Sequence, residues 1–161
     1  MTTSTHVQSP FMNLEHHESS SRSIVWMILA VIVGGIFIYA GASKISDPMH
    51  FARDIQNFRI VGWPIAIRLA FYLPWVEIMA GLALVAGVLR HGALAILTGL
   101  TIVFIAITIS AQARGINVDC GCFGKASAGM SFAKHMVIDF AILAALVALW
   151  ILPARIPRSR A

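Results

Sequence analysis

Both cysteines of the chain, Cys120 and Cys122, fall in the stretch DCGCFG at 119–124, with Gly121 between them. Two residues of extended chain span roughly 6.6–7.2 Å. A disulfide wants Cα atoms about 4.4–6.8 Å apart. The two thiols can therefore bond only if the backbone turns sharply, and Gly121 permits that turn. The resulting ring would be small and strained, and strained, exposed disulfides are the labile, exchanging ones. A structural staple would more sensibly close a long loop. The spacing thus points to thiol–disulfide exchange. Zinc wants four ligands, whereas the chain has two thiols and its His91 and His135 fall near other helix ends. No metal site is expected.

Two acids stand inside apolar runs: Glu77, after LPW, and Asp139, near the start of the last run. A carboxylate in hydrocarbon costs about 2.5–3.5 kcal/mol or more, so it faces a partner or a wet cavity. Lys44 closes the first apolar run on the membrane face where the second begins, so a Lys44–Glu77 pair is geometrically reasonable. Such a pair either fixes helix register or serves a proton-relay or quinone-polarising role, and the residues leave these open. Pro74, three residues ahead of Glu77, is expected to break the helix. Asp139 reads as a packing residue or a favourable charge near a helix N-terminus, within reach of the cysteine loop.

The elements that must hold these residues follow from composition. Of 161 residues, 58% are hydrophobic and only 12% charged; mean hydropathy is +0.82. A soluble domain carries about twice that charge. The net charge of +5 forms no basic stripe with interleaved aromatics, so nucleic acid is a poor partner. Uncharged or nearly uncharged runs occupy 24–42, 69–89, 92–113 and 136–152. A span needs about 20 apolar residues, and its backbone must be satisfied internally. The fold class is an all-α integral membrane protein: a four-transmembrane-helix bundle in the lipid bilayer. The first run is longer than the roughly 7–15 residues of a signal peptide and follows a polar leader, so it reads as a retained span.

Residues 1–23 are polar and Ser/Thr-rich and read as a disordered segment. Residues 24–153 form the transmembrane domain. Residues 154–161 form a short basic tail suited to lipid headgroups. Between the first two spans, Asp47 and Pro48 signal a helix start. Phe51, Ile55 and Phe58 then recur at helical spacing, with Arg53, Asp54 and Arg59 elsewhere. This describes a short amphipathic helix in the interface plane, ended by Trp63 and Pro64. Counting basic residues gives five on the side of the termini and seven on the side of the cysteine loop. That balance leans weakly toward a cytoplasmic loop.

The stretches GIFIYAGASKISDPMHF, LPWVEIMAGLAL and DCGCFG, in this order and spacing, resemble the methylamine-utilisation membrane protein MauE family, within a wider DoxX-like group. The resemblance covers about 24–150. It implies a four-helix membrane protein acting with a thioredoxin-like periplasmic protein. Together they would mature a periplasmic dehydrogenase subunit rich in disulfides and carrying a tryptophan-derived quinone. The matching positions are Lys44, Pro74, Trp75, Glu77, Cys120, Gly121, Cys122, Phe123 and Gly124. On this resemblance the loop belongs on the oxidising side of a bacterial inner membrane, against the charge count. Cys120 and Cys122 would be catalytic, with Lys44, Glu77, Gly121, Phe123, Gly124 and Asp139 in support. A membrane quinone is a candidate cofactor that no residue pattern demands. Two rival readings stay open: a non-catalytic assembly or anchoring factor, and a small transporter subunit with Glu77 lining a path.

Overall fold

A computed structural model describes residues 11–115 and 132–152, with side chains over 24–115 and 133–152, and these described residues form five α-helices. The helices are α1 Phe11–Ser46, α2 Pro48–Asn57, α3 Trp63–Val85, α4 Arg90–Ala113 and α5 Phe132–Ile151. Among the described residues, four stretches are long and apolar enough to cross a membrane: Ile24–Ser46, Trp63–Val85, Arg90–Ala113 and Ala133–Ile151. Cys120, Gly121, Cys122, Phe123 and Gly124 lie outside the described residues.

Helix α1 begins at Phe11, inside the leader that composition alone leaves without structure. Residues 11–33 hold no proline or glycine, so a helix nucleated in the apolar run can propagate back through them. Helix α2 starts as its sequence signals. Asp47 caps it, its Oδ1 accepting from the His50 N–H at 3.1 Å, with Pro48 at the start. Helix α2 ends earlier than expected, at Asn57, and Trp63 and Pro64 open α3 instead. Proline suits that first turn because it has no donor to leave unpaired. The second span accordingly sits at Trp63–Val85 rather than 69–89, and 86–89 turn the chain into α4. Pro74 does not break α3, which runs continuously through it.

Side-chain ties fix an up-and-down order. At one end, the Trp26 indole N–H donates to the Leu149 carbonyl at 3.3 Å, and the Trp150 indole N–H donates to Thr98 Oγ1 at 3.4 Å. At the other end, Arg114 Nη2 donates to the Phe58 carbonyl at 2.8 Å, pinning the end of α2 beside the end of α4. The second end therefore gathers the C-terminus of α1, all of α2, the start of α3, the end of α4 and the start of α5. Helix α2 is the short interfacial helix; its Phe51 and Ala52 pack on Ala70 of α3. The outer surface is apolar, with Ile32, Tyr72, Met79 and Val137 all exposed, as hydrocarbon requires.

Helices α1 and α3 approach through glycine. A Cβ on Gly34 would lie 2.5 Å from Val85 Cγ2 and 2.8 Å from the Gly81 carbonyl oxygen; one on Gly81 would lie 2.8 Å from the Gly34 oxygen. Lipid tails are as apolar as leucine, so close backbone packing of this kind is what draws spans together. Gly34→Ala and Gly81→Ala should each destabilise the bundle by about 1–3 kcal/mol through overpacking. Gly35→Ala meets nothing within 4 Å and should be neutral or stabilising. Unfolding titrations in mixed micelles check the contrast.

Candidate functional site

The centre of the bundle is polar. Lys44 Nζ donates to both carboxylate oxygens of Glu77, at 2.6 and 2.8 Å. Both side chains are almost fully enclosed, at 2% and 1% exposure. Helix direction explains how two residues from different levels meet. Every Cα–Cβ bond tilts toward its own helix N-terminus. Because α1 and α3 run antiparallel, Lys44 leans inward and Glu77 leans toward it. Glu77 stands about 21 Å along α3 from Trp63, at 1.5 Å per residue, well inside the hydrocarbon.

Two rings attend the ammonium: Phe51 of α2 at 5.1 Å and Phe104 of α4 at 4.9 Å, centroid to Nζ. Their negative faces attract a cation by about 0.5–2 kcal/mol each, most where water is excluded. Lys44 is thus held by α3 through charge and by α2 and α4 through aromatic faces. Asp139 of α5 is buried and lines, with Lys44, Glu77 and Thr101, a cavity of about 40 Å³. Thr101 Oγ1 donates to the Leu97 carbonyl at 2.8 Å and keeps lone pairs for the cavity. Phe37 and Ile142 are among the apolar groups that complete it.

A second cavity of about 140 Å³ lies between α2, α3 and α4, and Phe51 and Phe104 also line it. Its lining is wholly apolar, so it offers a ring or a lipid chain van der Waals contact and no side-chain hydrogen bond.

The structure brings together Lys44, Glu77 and Asp139, three of the residues singled out in the sequence. Pro74 is buried beside α1, where a Cβ on Gly41 would come within 2.7 Å of its carbonyl oxygen. Trp75 faces outward at 57% exposure and takes no part in the polar centre. Asp54, expected on the polar face of α2, is buried instead, and its Oδ2 accepts from His50 Nδ1 at 3.1 Å. Sequence reasoning passed over Thr101, Phe51, Phe104 and Arg114. A hydroxyl in an apolar run was the available signal for Thr101; Phe51 and Phe104 read as ordinary lipid-facing or core residues. Lys44 also leaves the count of surface charges, so basic residues stand at six against five and the difference shrinks to one.

A family model described as methylamine utilisation protein MauE matches residues 22–153. The chain belongs to the MauE family. No curated protein and no solved structure matches it. The match begins two residues before the first span and ends just after α5, so it takes in the four described spans and the CGC stretch at 120–122. This MauE chain is accordingly a multi-pass membrane protein of methylamine utilisation.

Removing one partner of a buried pair strands the other charge. Lys44→Met or Glu77→Leu alone should lower stability by about 3–5 kcal/mol. The double variant Lys44→Met/Glu77→Leu should recover most of that loss, because both charges leave together. A double-mutant cycle by chemical unfolding in micelles measures the coupling.

Proposed function

We propose that this MauE-family protein exchanges thiols and disulfides with a periplasmic partner through Cys120 and Cys122. The partner class is a thioredoxin-like protein or a dehydrogenase-type client subunit undergoing maturation. The setting is the bacterial inner membrane, with the loop on the oxidising side. The observation that carries the reading is positional. Among the described residues, Lys44, Asp54, Glu77, Thr101, Thr108, His135 and Asp139 are the buried polar or charged side chains. They lie at mid-depth or toward the end from which the 116–131 segment departs and to which it returns. The opposite half of the bundle is packed with leucine, alanine and aromatic side chains.

The exchange balances without an external oxidant. One loop thiolate attacks a sulfur of the partner disulfide, forming a mixed disulfide and releasing the partner's other sulfur as thiolate. The second loop thiolate then attacks the loop sulfur of that mixed bond. The chain ends as a disulfide and the partner as a dithiol; the reverse direction runs through the same intermediate. Gly121, between the two thiols in sequence, permits the turn that ring closure needs, and the family resemblance adds Phe123 and Gly124 as supporting residues. Lys44, Glu77 and Asp139 act in support as the buried polar core of the described bundle. Sulfur supplies both electrons, so a quinone is not required for the step.

Rapid acid quenching followed by an alkylating mass tag reads the state of the two thiols in cells. Wild type should show both redox forms, and Cys122→Ser or Cys120→Ser should trap a mixed disulfide with a second protein. Cys120→Ala/Cys122→Ala should abolish growth that depends on methylamine. Unimpaired growth of that double variant, or a pair frozen in one redox state in growing cells, would overturn the exchange and favour an anchoring role.

A further inference from the structure

The buried groups are unevenly distributed along the bundle axis, and that asymmetry has a consequence independent of the cysteines. Every helix of the loop-side half contributes a buried polar side chain. These are Lys44 from α1, Asp54 from α2, Glu77 from α3, Thr101 and Thr108 from α4, and His135 and Asp139 from α5. Five of the seven are titratable. In the other half, Trp26, Val33, Leu84, Leu94, Leu146 and Leu149 close on one another with exposures of 6% or less. Along α1 this dry packing runs from Trp26 to Phe37, about 16 Å of axis.

The cavity among Lys44, Glu77, Thr101 and Asp139 sits at the boundary between these halves. Phe37 belongs both to its lining and to the apolar cluster, and so forms its floor. A water needs about 10–15 Å³ of such volume and two to four polar partners. At about 40 Å³ the cavity has room for two or three waters. Lys44, Glu77, Thr101 and Asp139 offer the polar partners, within a lining that Ile36, Phe37, Ala40, Phe104 and Ile142 make mostly apolar. Toward the loop, α4 buries Ile105 and then Thr108, and α5 buries Met136 and then His135, so each helix pairs an apolar with a polar buried residue there. Toward the opposite face, α4 next buries Leu97 and Leu94, and α5 next buries Leu146 and Leu149.

We propose that the loop-side half of the bundle is a blind hydrated well. Water and protons reach Glu77 and Asp139 from the cysteine-loop face only, and the apolar half seals the well from the other face. The two carboxyl groups then exchange protons with one compartment. The chain conducts nothing across the bilayer, which sets it apart from a transporter subunit. Protons consumed or released by any chemistry at the loop face have a local store in the membrane interior. The proposal rests on the buried side chains alone and stands whether or not the loop thiols exchange.

Single cysteines report hydration, because only the thiolate reacts and apolar burial suppresses it. In a Cys120→Ser/Cys122→Ser background, Thr101→Cys and Thr108→Cys are near-isosteric probes of the well. Ala30→Cys and Ala93→Cys probe the apolar half. A chain keeping Cys122 alone marks the loop face. A charged, membrane-impermeant methanethiosulfonate is applied to sealed vesicles of each orientation. Thr108→Cys and Thr101→Cys should react roughly tenfold or more faster than Ala30→Cys and Ala93→Cys, as a raised thiol pKa dictates, and only from the face that labels Cys122. If both threonine sites are as inert as the alanine sites, the well is dry and the proposal fails. Labelling from both faces, or fast labelling at Ala30→Cys, would show a through path and overturn the one-sidedness. If Thr101→Cys does not accumulate, Thr108→Cys carries the same comparison.

Discussion

A lysine ammonium and a glutamate carboxylate at mid-membrane depth are tolerable only in each other's company. Each alone costs about 2.5–3.5 kcal/mol or more in hydrocarbon. The bidentate contact between Lys44 and Glu77 removes that cost only if α1 and α3 keep one register and one separation. The register comes from helix direction, which leans the two side chains together. The separation comes from Gly34 and Gly81, whose missing side chains let the backbones touch. The pair is therefore less a source of raw stability than a constraint on geometry, since a buried ion pair often just offsets its own desolvation.

The rest of the loop-side half is arranged around that constraint. Helix α2 folds back along the start of α3 and brings Phe51 against the ammonium. Helix α4 brings Phe104 to another side of it, and Arg114, one residue past α4, fastens the end of α2 through the Phe58 carbonyl. Helix α5 adds Asp139. Each of these contacts comes from a different helix, so displacement of any one is felt at Lys44. The apolar half is held differently, by close backbone contact at Gly34 and Gly81, by the Trp26–Leu149 hydrogen bond and by packing of leucine and alanine.

Much of this was legible in the sequence. Four apolar runs gave four spans. Asp47 and Pro48 gave the start of α2, and two lone acids with one run-ending lysine gave the Lys44–Glu77 pair. The errors share a cause: local signals were read without their tertiary setting. Trp63 and Pro64 are equally good at ending one helix and starting the next, and only the packing of α2 on α3 decides. Pro74 looked like a break, but a long apolar helix clamped by its neighbours accommodates one missing donor. Asp54 looked solvent-facing on a helical wheel, yet the folding back of α2 buries that side. Phe51 and Phe104 carried no sequence signal as ammonium partners, because an aromatic on the apolar face of an amphipathic helix or inside an apolar run is ordinary. The cysteine loop was the most distinctive feature of the chain and lies outside the described residues, so its chemistry rests on spacing and family.

Membership of the MauE family places the molecule in methylamine utilisation, and the asymmetry of its interior gives the membrane domain a working end. That end depends on Lys44 and Glu77 meeting inside the bundle. Magic-angle-spinning NMR in bilayers, with ¹⁵N at the Lys44 ammonium and ¹³C at the Glu77 carboxyl carbon, measures that meeting directly through their dipolar coupling. A strong coupling, matching N–O separations of 2.6 and 2.8 Å, is the expected result. The absence of measurable coupling between the two sites would contradict the central contact and the arrangement built around it.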